Sequence, residues 1–276
     1  MARRRSSRGR RSKRKQRGGG SEWGWYLAIG LCLAIAVGIG IAASRLISAS
    51  QIDEATLCHL GVQHDTTLIL LDVTDPVNAT QQARLEAFIN REIAASPVDT
   101  MLAVGIVSEF ADNWGQMFAK CKPKSGDEAN AIYENPAFIM ARYQEEFIDQ
   151  VASTLATAFA GDTENQSPIM EAMQALVADV PEFGTSGSQA KLIIVSDMIQ
   201  HSDTLSFFRG QDWADFVDSG GDRRLARNLQ GVDIEILRIT RAADNLPDRA
   251  TIDGFWSRYF DLQGSNAPVV RSLGDL

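Results

Sequence analysis

Residues 190–197 read AKLIIVSD, and this stretch is the clearest strand pattern in the chain. A short apolar run rich in branched residues, bounded by polar residues, is typical of a strand that is buried on both faces of a sheet. A second run of the same kind, Thr67–Asp72 with the sequence TLILLD, also ends at an acid. The two runs therefore predict interior strands, each with an aspartate at its carboxyl end.

Strand-like and helix-like segments alternate along the rest of the sequence. The further predicted strands are Thr100–Ser108, Asn113–Cys121 as an antiparallel edge strand, and Val232–Ile239. The predicted helices are Gln81–Ala94, 136–159, 169–179 and Ile252–Leu262. This alternation predicts an α/β fold with a mostly parallel central sheet and helices on both faces. Ligands bind such sheets beyond the carboxyl ends of the strands.

Charge is distributed unevenly along the chain. Of 27 Lys and Arg and 35 Asp and Glu, ten of the cations and one acid lie in residues 1–22. A block of like charges with Ser and Gly cannot bury enough apolar surface to fold, so residues 1–22 are predicted to form a disordered basic tail. The remainder holds 17 basic and 34 acidic side chains. That balance argues against a globular domain that binds nucleic acid.

Residues 23–44 contain no charged side chain and begin with the aromatic sequence WGWY. A helix of this length spans about 33 Å, which matches the hydrocarbon core of a bilayer, so a single transmembrane helix is predicted. The cations before it are expected to keep the N-terminus in the cytosol. The rest of the chain is then periplasmic, anchored in a bacterial inner membrane. A cleaved signal peptide is the alternative, because residues 48–50 offer a small-x-small cleavage site.

Gly30, Ala34, Gly38 and Ala42 recur at every fourth position of this predicted span. A ribbon of small side chains lets two membrane helices approach closely, which indicates a homo-oligomer or a partner helix. The competing interpretation is that Gly and Ala are simply common in membrane helices. The basic tail is expected to bind anionic lipid, with electrostatic contact to nucleic acid as the alternative.

Carboxylates and hydroxyls occur where the predicted strands end or the middle helix begins. Asp72 and Thr74 follow the first strand, Ser167 precedes the helix predicted at 169–179, and Asp197 follows the later strand. Such oxygen ligands suit Mg²⁺, with water completing the coordination. The sequence therefore predicts a magnesium site at one edge of the sheet. The alternative is a vestigial site, where Asp72 and Asp197 only cap helices or accept hydrogen bonds from the loops.

Over residues 65–262 this pattern resembles a von Willebrand factor A-type domain. The metal-ion-dependent adhesion site of that family combines an Asp-x-Ser-x-Ser turn after the first strand, a middle Thr, and a later Asp. By this resemblance Asp72 matches the first Asp, Thr74 the first hydroxyl, Ser167 the middle Thr and Asp197 the later Asp. Pro76 stands where the second hydroxyl is expected, so the site is divergent.

The resemblance implies a protein-binding or assembly module that holds a partner protein through a bound Mg²⁺. It also implies that the protein is not an enzyme. An aspartate-nucleophile phosphatase of the haloacid dehalogenase type is the rival hypothesis, with Asp72 as nucleophile and Ser196 as the later hydroxyl. Such enzymes need a general acid two residues after the nucleophile, where this chain has Thr74. The sequence also lacks a Gly-rich phosphate loop, a G-x-S-x-G elbow and an H-E-x-x-H motif.

Cys58 and Cys121 are the two cysteines that follow the predicted span. An even pair in an oxidising compartment favours a disulfide between them, and two buried free thiols are the alternative. Cys58-His59 together with His64 also suggests zinc ligands, but the sequence offers no convincing second ligand pair. Ordinary histidines are therefore the preferred interpretation.

The predicted organisation has five parts. They are a basic tail (1–22), a transmembrane helix (23–44), a stalk (45–64), the A-type domain (65–262) and a C-terminal tail (263–276).

The topology can be tested with a fluorescent protein that matures only in the cytosol. Fused after Leu276 it should stay dark, because the charge-free span follows ten cations and exports what comes after it. The same reporter fused before Met1 is the matched control and should fluoresce. Bright fluorescence from the C-terminal fusion would contradict the whole arrangement.

Overall fold

The computed structural model of the chain describes residues 22–49, 51–161, 163–180, 183–185, 187–239 and 246–273. It describes the side chains of all of these except 22–24 and 42–49. The chain divides into two units, one ending at Ser48 and one beginning at Ala49.

Helix α1, Glu22–Ala49, lies in the first unit except for its last residue. Its described side chains, residues 25–41, are all exposed, and a Cβ atom added at Gly30 or Gly38 would meet no atom within 4 Å. Among the residues that the structure describes, no helix combines the length and the apolar character needed to cross a membrane. The span predicted for residues 23–44 is not supported by this finding and stays a prediction.

The second unit is built on a six-stranded sheet. Its strands in chain order are β1 Thr66–Asp72, β2 Met101–Val107, β3 Gln116–Cys121, β4 Ala190–Ser196, β5 Asp233–Arg238 and β6 Val269–Ser272. The spatial order is β3-β2-β1-β4-β5-β6, and every neighbouring pair is parallel except the antiparallel pair β2 and β3. The predicted mostly parallel sheet is confirmed, including the antiparallel edge strand.

Strand β1 is central, and all seven of its residues are buried. Successive side chains of a strand point to opposite faces of the sheet. Leu68 and Leu70 accordingly pack in one hydrophobic cluster, and Ile69 and Leu71 pack in the other. Because both faces are covered, the strand needs apolar residues at every position rather than alternate ones, which is the pattern seen in the sequence.

Helices cover both faces of the sheet, as predicted. They are α2 Ala79–Ala95, α3 Pro136–Tyr143, α4 Asp149–Phe159, α5 Ile169–Asp179, α6 Trp213–Asp218, α7 Gly221–Arg224 and α8 Arg249–Leu262. Helices α5 and α8 contribute to the cluster around Leu68, and α2 and α4 to the cluster around Ile69. The aromatic residues of α8 lie in the core, with Trp256 and Phe260 2% exposed or less.

Local signals set where the helices begin. Asn78 caps α2 by accepting a hydrogen bond from the backbone of Gln81, whose side chain accepts one from Asn78 in return. Asn135 caps α3, and Pro136 occupies the first turn, where its missing N–H costs nothing. The predicted single helix 136–159 is divided by a π-helical turn at Gln144–Ile148. Periodicity could not show this division, because the apolar face continues through it.

Two segments are folded that the sequence assigned to a stalk and a tail. Within 45–64, Ile52 and His59 form an antiparallel bridge, and the Asp53 N–H donates to the carbonyl of Cys58 at 2.9 Å. Within 263–276, strand β6 pairs in parallel with β5. This strand has only four residues, and its Val269 and Val270 are exposed. It therefore lacks the longer apolar run that marks a buried strand in a sequence. The folded unit therefore extends beyond the predicted bounds 65–262 at both ends.

Cys58 and Cys121 form a disulfide, with their Cα atoms 4.8 Å apart. It joins the segment before β1 to the last residue of edge strand β3, across 63 residues of sequence. The predicted disulfide is confirmed. A cross-link that closes a loop of this length stabilises a domain by about 2–4 kcal/mol, largely by restricting the unfolded chain.

Replacing both cysteines, Cys58→Ser with Cys121→Ser, should therefore lower the free energy of unfolding by about 2–4 kcal/mol. Denaturant titration of the second unit's fluorescence or circular dichroism measures this loss. Cys32→Ser is the matched control, because Cys32 lies in α1 as an exposed free thiol and should leave the transition unchanged. An unaltered midpoint in the double variant would show that the cross-link adds no stability.

Candidate functional site

The candidate site lies at the carboxyl edge of the sheet, between its two most central strands. Asp72 is the last residue of β1, and Ser196 is the last residue of the neighbouring strand β4. The register pairs Leu71 with Val195, so the two strands end side by side. The even-numbered residues of both strands face the same hydrophobic cluster, which places Asp72 and Ser196 on one face.

Three hydroxyl groups of described residues donate hydrogen bonds to the carboxylate of Asp72. The Thr74 hydroxyl donates to Oδ1 at 2.7 Å, the Ser196 hydroxyl to Oδ2 at 2.7 Å, and the Ser167 hydroxyl to Oδ2 at 3.1 Å. Asp72 is only 2% exposed. A charge this deeply buried is tolerated only when hydrogen bonds or a counter-charge replace its lost hydration.

The loop that carries Ser167 is held in place by backbone contacts. Ser167 and His201 exchange two N–H to carbonyl hydrogen bonds of 2.9 Å. Three residues earlier in this loop, the N–H of Glu164 donates to the carbonyl of Thr74 at 2.9 Å. The carboxylate of Glu164 accepts a hydrogen bond from the hydroxyl of Ser108 at 2.9 Å. The turns after β1, β2 and β4 are thus joined to one another through this loop.

Asp197 brings a second carboxylate to the same place. Burial, and after it the negative charge of Asp72, raise the pKa of Asp197 to about 7. The Ile199 N–H, which donates to Asp197 Oδ1 at 2.8 Å, and the charges of Arg249 and Arg238 act in the opposite direction. Two neighbouring carboxylates with this electrostatic coupling require a cation or a shared proton.

The turn after Asp197 has an unusual backbone. Met198 has a φ of +67°, a region that residues with bulky side chains rarely adopt. The Met198 N–H donates a hydrogen bond to the Ser196 hydroxyl, and the Met198 carbonyl accepts one from the indole N–H of Trp256, both at 2.8 Å. Helix α8 therefore fixes the turn that presents Asp197.

All four predicted site residues are thus at one edge of the sheet. Asp72, Thr74 and Ser167 share one hydrogen-bond network, and Asp197 couples to it electrostatically. Ser196 was missing from the predicted metal set. The sequence AKLIIVS could have indicated its role, because side chains alternate between the two faces of a strand. If β1 and β4 are neighbours, this alternation places Ser196 beside Asp72.

The donor set fits a hard cation. The groups that converge are hydroxyls and carboxylates, the oxygen ligands that Mg²⁺ accepts. Pro76 is exposed in the turn after β1 and has no side-chain oxygen to offer. The site therefore has one fewer hydroxyl than the resemblance to the A-type adhesion site implies, and Ser196 adds a hydroxyl from a different strand.

No protein-family model and no curated protein matches the sequence. Solved structures with a similar fold do exist. An aerotolerance-related membrane protein from Bacteroides fragilis NCTC 9343 has a TM-score of 0.38 and 10% identity, covering 74% of this chain and 91% of that chain. The conserved hypothetical protein BatB from Bacteroides thetaiotaomicron has a TM-score of 0.38 and 11% identity, covering 76% of this chain and 93% of that chain.

A von Willebrand factor type A protein from Catenulispora acidiphila has a TM-score of 0.35 and 11% identity, covering 77% of this chain and 39% of that chain. These similarities are distant.

The burial of Asp197 and its coupling to Asp72 predict a pH dependence of stability in metal-free buffer. The folded protein keeps a proton on Asp197 up to a pH of about 7, whereas the unfolded chain loses it near the ordinary pKa of 3.8. Because the folded state then binds more protons, this group makes the free energy of unfolding fall as the pH rises from about 4 to 7.

The Asp197→Asn variant lacks this titration and keeps an oxygen for the Ile199 N–H. At pH 8 it should be more stable than the wild type by about 1 kcal/mol or more, and the difference should shrink toward pH 4. Urea titrations at several pH values measure it. Asp203→Asn, an exposed position in the same loop, is the control and should follow the wild type. Parallel curves for Asp197→Asn and wild type would contradict the coupling.

Proposed function

We propose that the second unit is a protein-binding or assembly module that holds its partner with the loops at the carboxyl edge of the sheet. The observation that carries this proposal is the buried carboxylate of Asp72, which accepts hydrogen bonds from Thr74, Ser167 and Ser196 beside a second carboxylate. A second acid beside a buried carboxylate opposes folding unless something compensates the two charges. Clusters of this kind are typical of functional sites.

Mg²⁺ is the compensating ligand that we propose. Asp72, Thr74, Ser167 and Asp197 would hold it, with Ser196 beside them. The ion supplies positive charge and a coordination position that an acidic side chain of the partner protein completes. When no ion is bound, Asp72 keeps its hydroxyl donors, and the surrounding loops remain in place for docking by shape and hydrogen bonds.

The loops that leave this edge also carry exposed aromatic side chains. Phe110, shortly after β2, is 58% exposed, and Phe208, in the long connection after β4, is 47% exposed. The ring of Phe208 lies 5.3 Å from that of His201, whose backbone pairs with Ser167. Exposed aromatic residues around a polar centre are common in protein interfaces. They support a protein partner rather than a small substrate.

The phosphatase hypothesis is less well supported by the same geometry. Thr74 lies where a general acid is required, and it is a hydrogen-bond donor to Asp72.

Membrane tethering is a further part of the proposal, and it depends on the sequence. The charge-free residues 23–44 after ten cations favour a single inner-membrane helix with the binding unit in the periplasm. The basic tail then lies against anionic lipid, with nucleic acid as a second ligand to test. The ribbon from Gly30 to Ala42 favours association between such helices.

Added Mg²⁺ or Mn²⁺ should raise the melting temperature of the second unit's transition in the full chain. A ligand at about 100 times its dissociation constant adds roughly 2.7 kcal/mol, which corresponds to roughly 5–10 °C for a unit of this size. Asp72→Ala should abolish the shift, because Asp72 is central to the donor set. Differential scanning calorimetry across a metal titration measures both.

Asp203→Ala is the matched control for this experiment, since it removes an exposed acid of a nearby loop and should keep the full shift. If the metal bridges the two proteins, capture of the partner by the chain should also fall with Asp72→Ala and not with Asp203→Ala. A wild-type melting temperature that stays constant at millimolar metal would refute the metal-dependent form of the proposal.

A further inference from the structure

Cys58, Cys121 and His64 form a cluster, here called the thiol–histidine cluster, at the amino edge of the sheet. Cys121 pairs with Met101, the first residue of β2, and Met101 pairs with Thr66, the first residue of β1. The cluster therefore lies at the opposite edge from Asp72. We propose that it is a redox-controlled metal site, which binds Zn²⁺ after a dithiol has reduced the disulfide.

The ligand atoms of the cluster are already close together. The two sulfur atoms and one ring nitrogen of His64 all lie within 4.8 Å of one another. Ligand atoms on a tetrahedral zinc ion are about 3.5–3.8 Å apart, given zinc–sulfur bonds of about 2.3 Å and zinc–nitrogen bonds of about 2.0 Å. Reduction of the disulfide frees the two sulfur atoms to separate to this spacing by side-chain rotation.

Backbone contacts hold the two cysteines next to each other independently of the disulfide. The N–H of Cys121 donates to the carbonyl of Thr56 at 2.8 Å and so joins the two segments. The N–H of Asp53 donates to the carbonyl of Cys58 at 2.9 Å and so closes the turn that carries Cys58. Both cysteines are buried, Cys58 at 6% and Cys121 at 0% exposure. Reduction therefore leaves two buried thiols in contact, which is an arrangement that a soft metal ion stabilises.

Asp99 is placed to orient the histidine. Its two carboxylate oxygens lie 3.0 Å from Nδ1 of His59 and 3.0 Å from Nδ1 of His64. For His64 the distance is that of a hydrogen bond but the angle is poor, so this buried nitrogen has no well-formed partner. Zinc-binding histidines commonly contact a carboxylate through the ring nitrogen that does not bind the metal. Fixing the ring between a metal and Asp99 would satisfy this nitrogen.

The chemistry balances as a two-electron exchange. The dithiol gives two electrons and two protons to the Cys58–Cys121 bond and itself becomes a disulfide. Zn²⁺ then displaces the two thiol protons, and the two thiolates neutralise its charge. Neutral His64 is the third ligand, and water completes the tetrahedron. The metal then keeps residues 51–64 attached to β3 when the covalent bond is absent.

The test uses the full chain in a Cys32→Ser background, with Co²⁺ as a spectroscopic substitute for Zn²⁺. After reduction the chain should bind one Co²⁺ with a thiolate charge-transfer absorption, and added Zn²⁺ should remove that absorption. The oxidised chain should show none. The oxygen ligands around Asp72 cannot produce this signal, so the two candidate metal sites are distinguished.

His64→Ala should weaken cobalt binding by at least about tenfold, by analogy with the loss of supporting groups at zinc sites. His201→Ala is the matched control and should bind as the parent does, because His201 lies at the other edge of the sheet. If the reduced, metal-free chain has lost its fold, Zn²⁺ must restore its circular dichroism. The proposal is overturned if the reduced chain shows no charge-transfer band, if His64→Ala binds like the parent, or if Zn²⁺ fails to restore a lost fold.

Discussion

The carboxylate of Asp72 sits at the end of a strand that has apolar layers on both faces. The position of this carboxylate follows from the burial of β1. Because a buried charge needs hydrogen-bond donors, it determines which residues can surround it. Ser196 must end the adjacent strand, and the loop before α5 must bring Ser167 within reach. The strained backbone at Met198 is part of the same arrangement, because it lets the chain leave β4 while Trp256 holds the turn. The site and the core are therefore one continuous structure.

Much of this arrangement could be predicted from the sequence, because buried parallel strands leave a strong signal. The apolar runs TLILLD and AKLIIVS gave β1 and β4 to within one residue. Once two parallel strands are placed, their carboxyl ends must share an edge, which is why Asp72, Thr74, Ser167 and Asp197 could be grouped without coordinates. The role of Ser196 at Asp72 required the spatial order of the strands, which local patterns do not contain.

Other features could not be predicted, for identifiable physical reasons. Strand β6 is short and exposed, so its pairing with β5 comes from the edge of an existing sheet and not from its own hydrophobicity. The segment 51–64 is attached by backbone hydrogen bonds and the disulfide, neither of which has a sequence period. The proximity of His64 and Asp99 to the cysteines likewise depends on contacts between distant parts of the chain.

The disulfide also determines how tension would pass through the protein. A pull applied from the N-terminal side reaches Cys58, crosses directly to Cys121 and continues toward the C-terminus, bypassing the 63-residue separation between them. Strands β1 and β2, together with Asp72 and Thr74, lie inside that bypassed loop. An oxidised chain held at its N-terminal end and loaded at its far end can therefore carry force without stretching the segment that contains half of the candidate site. Reduction without a bound metal would place that segment in series with the load.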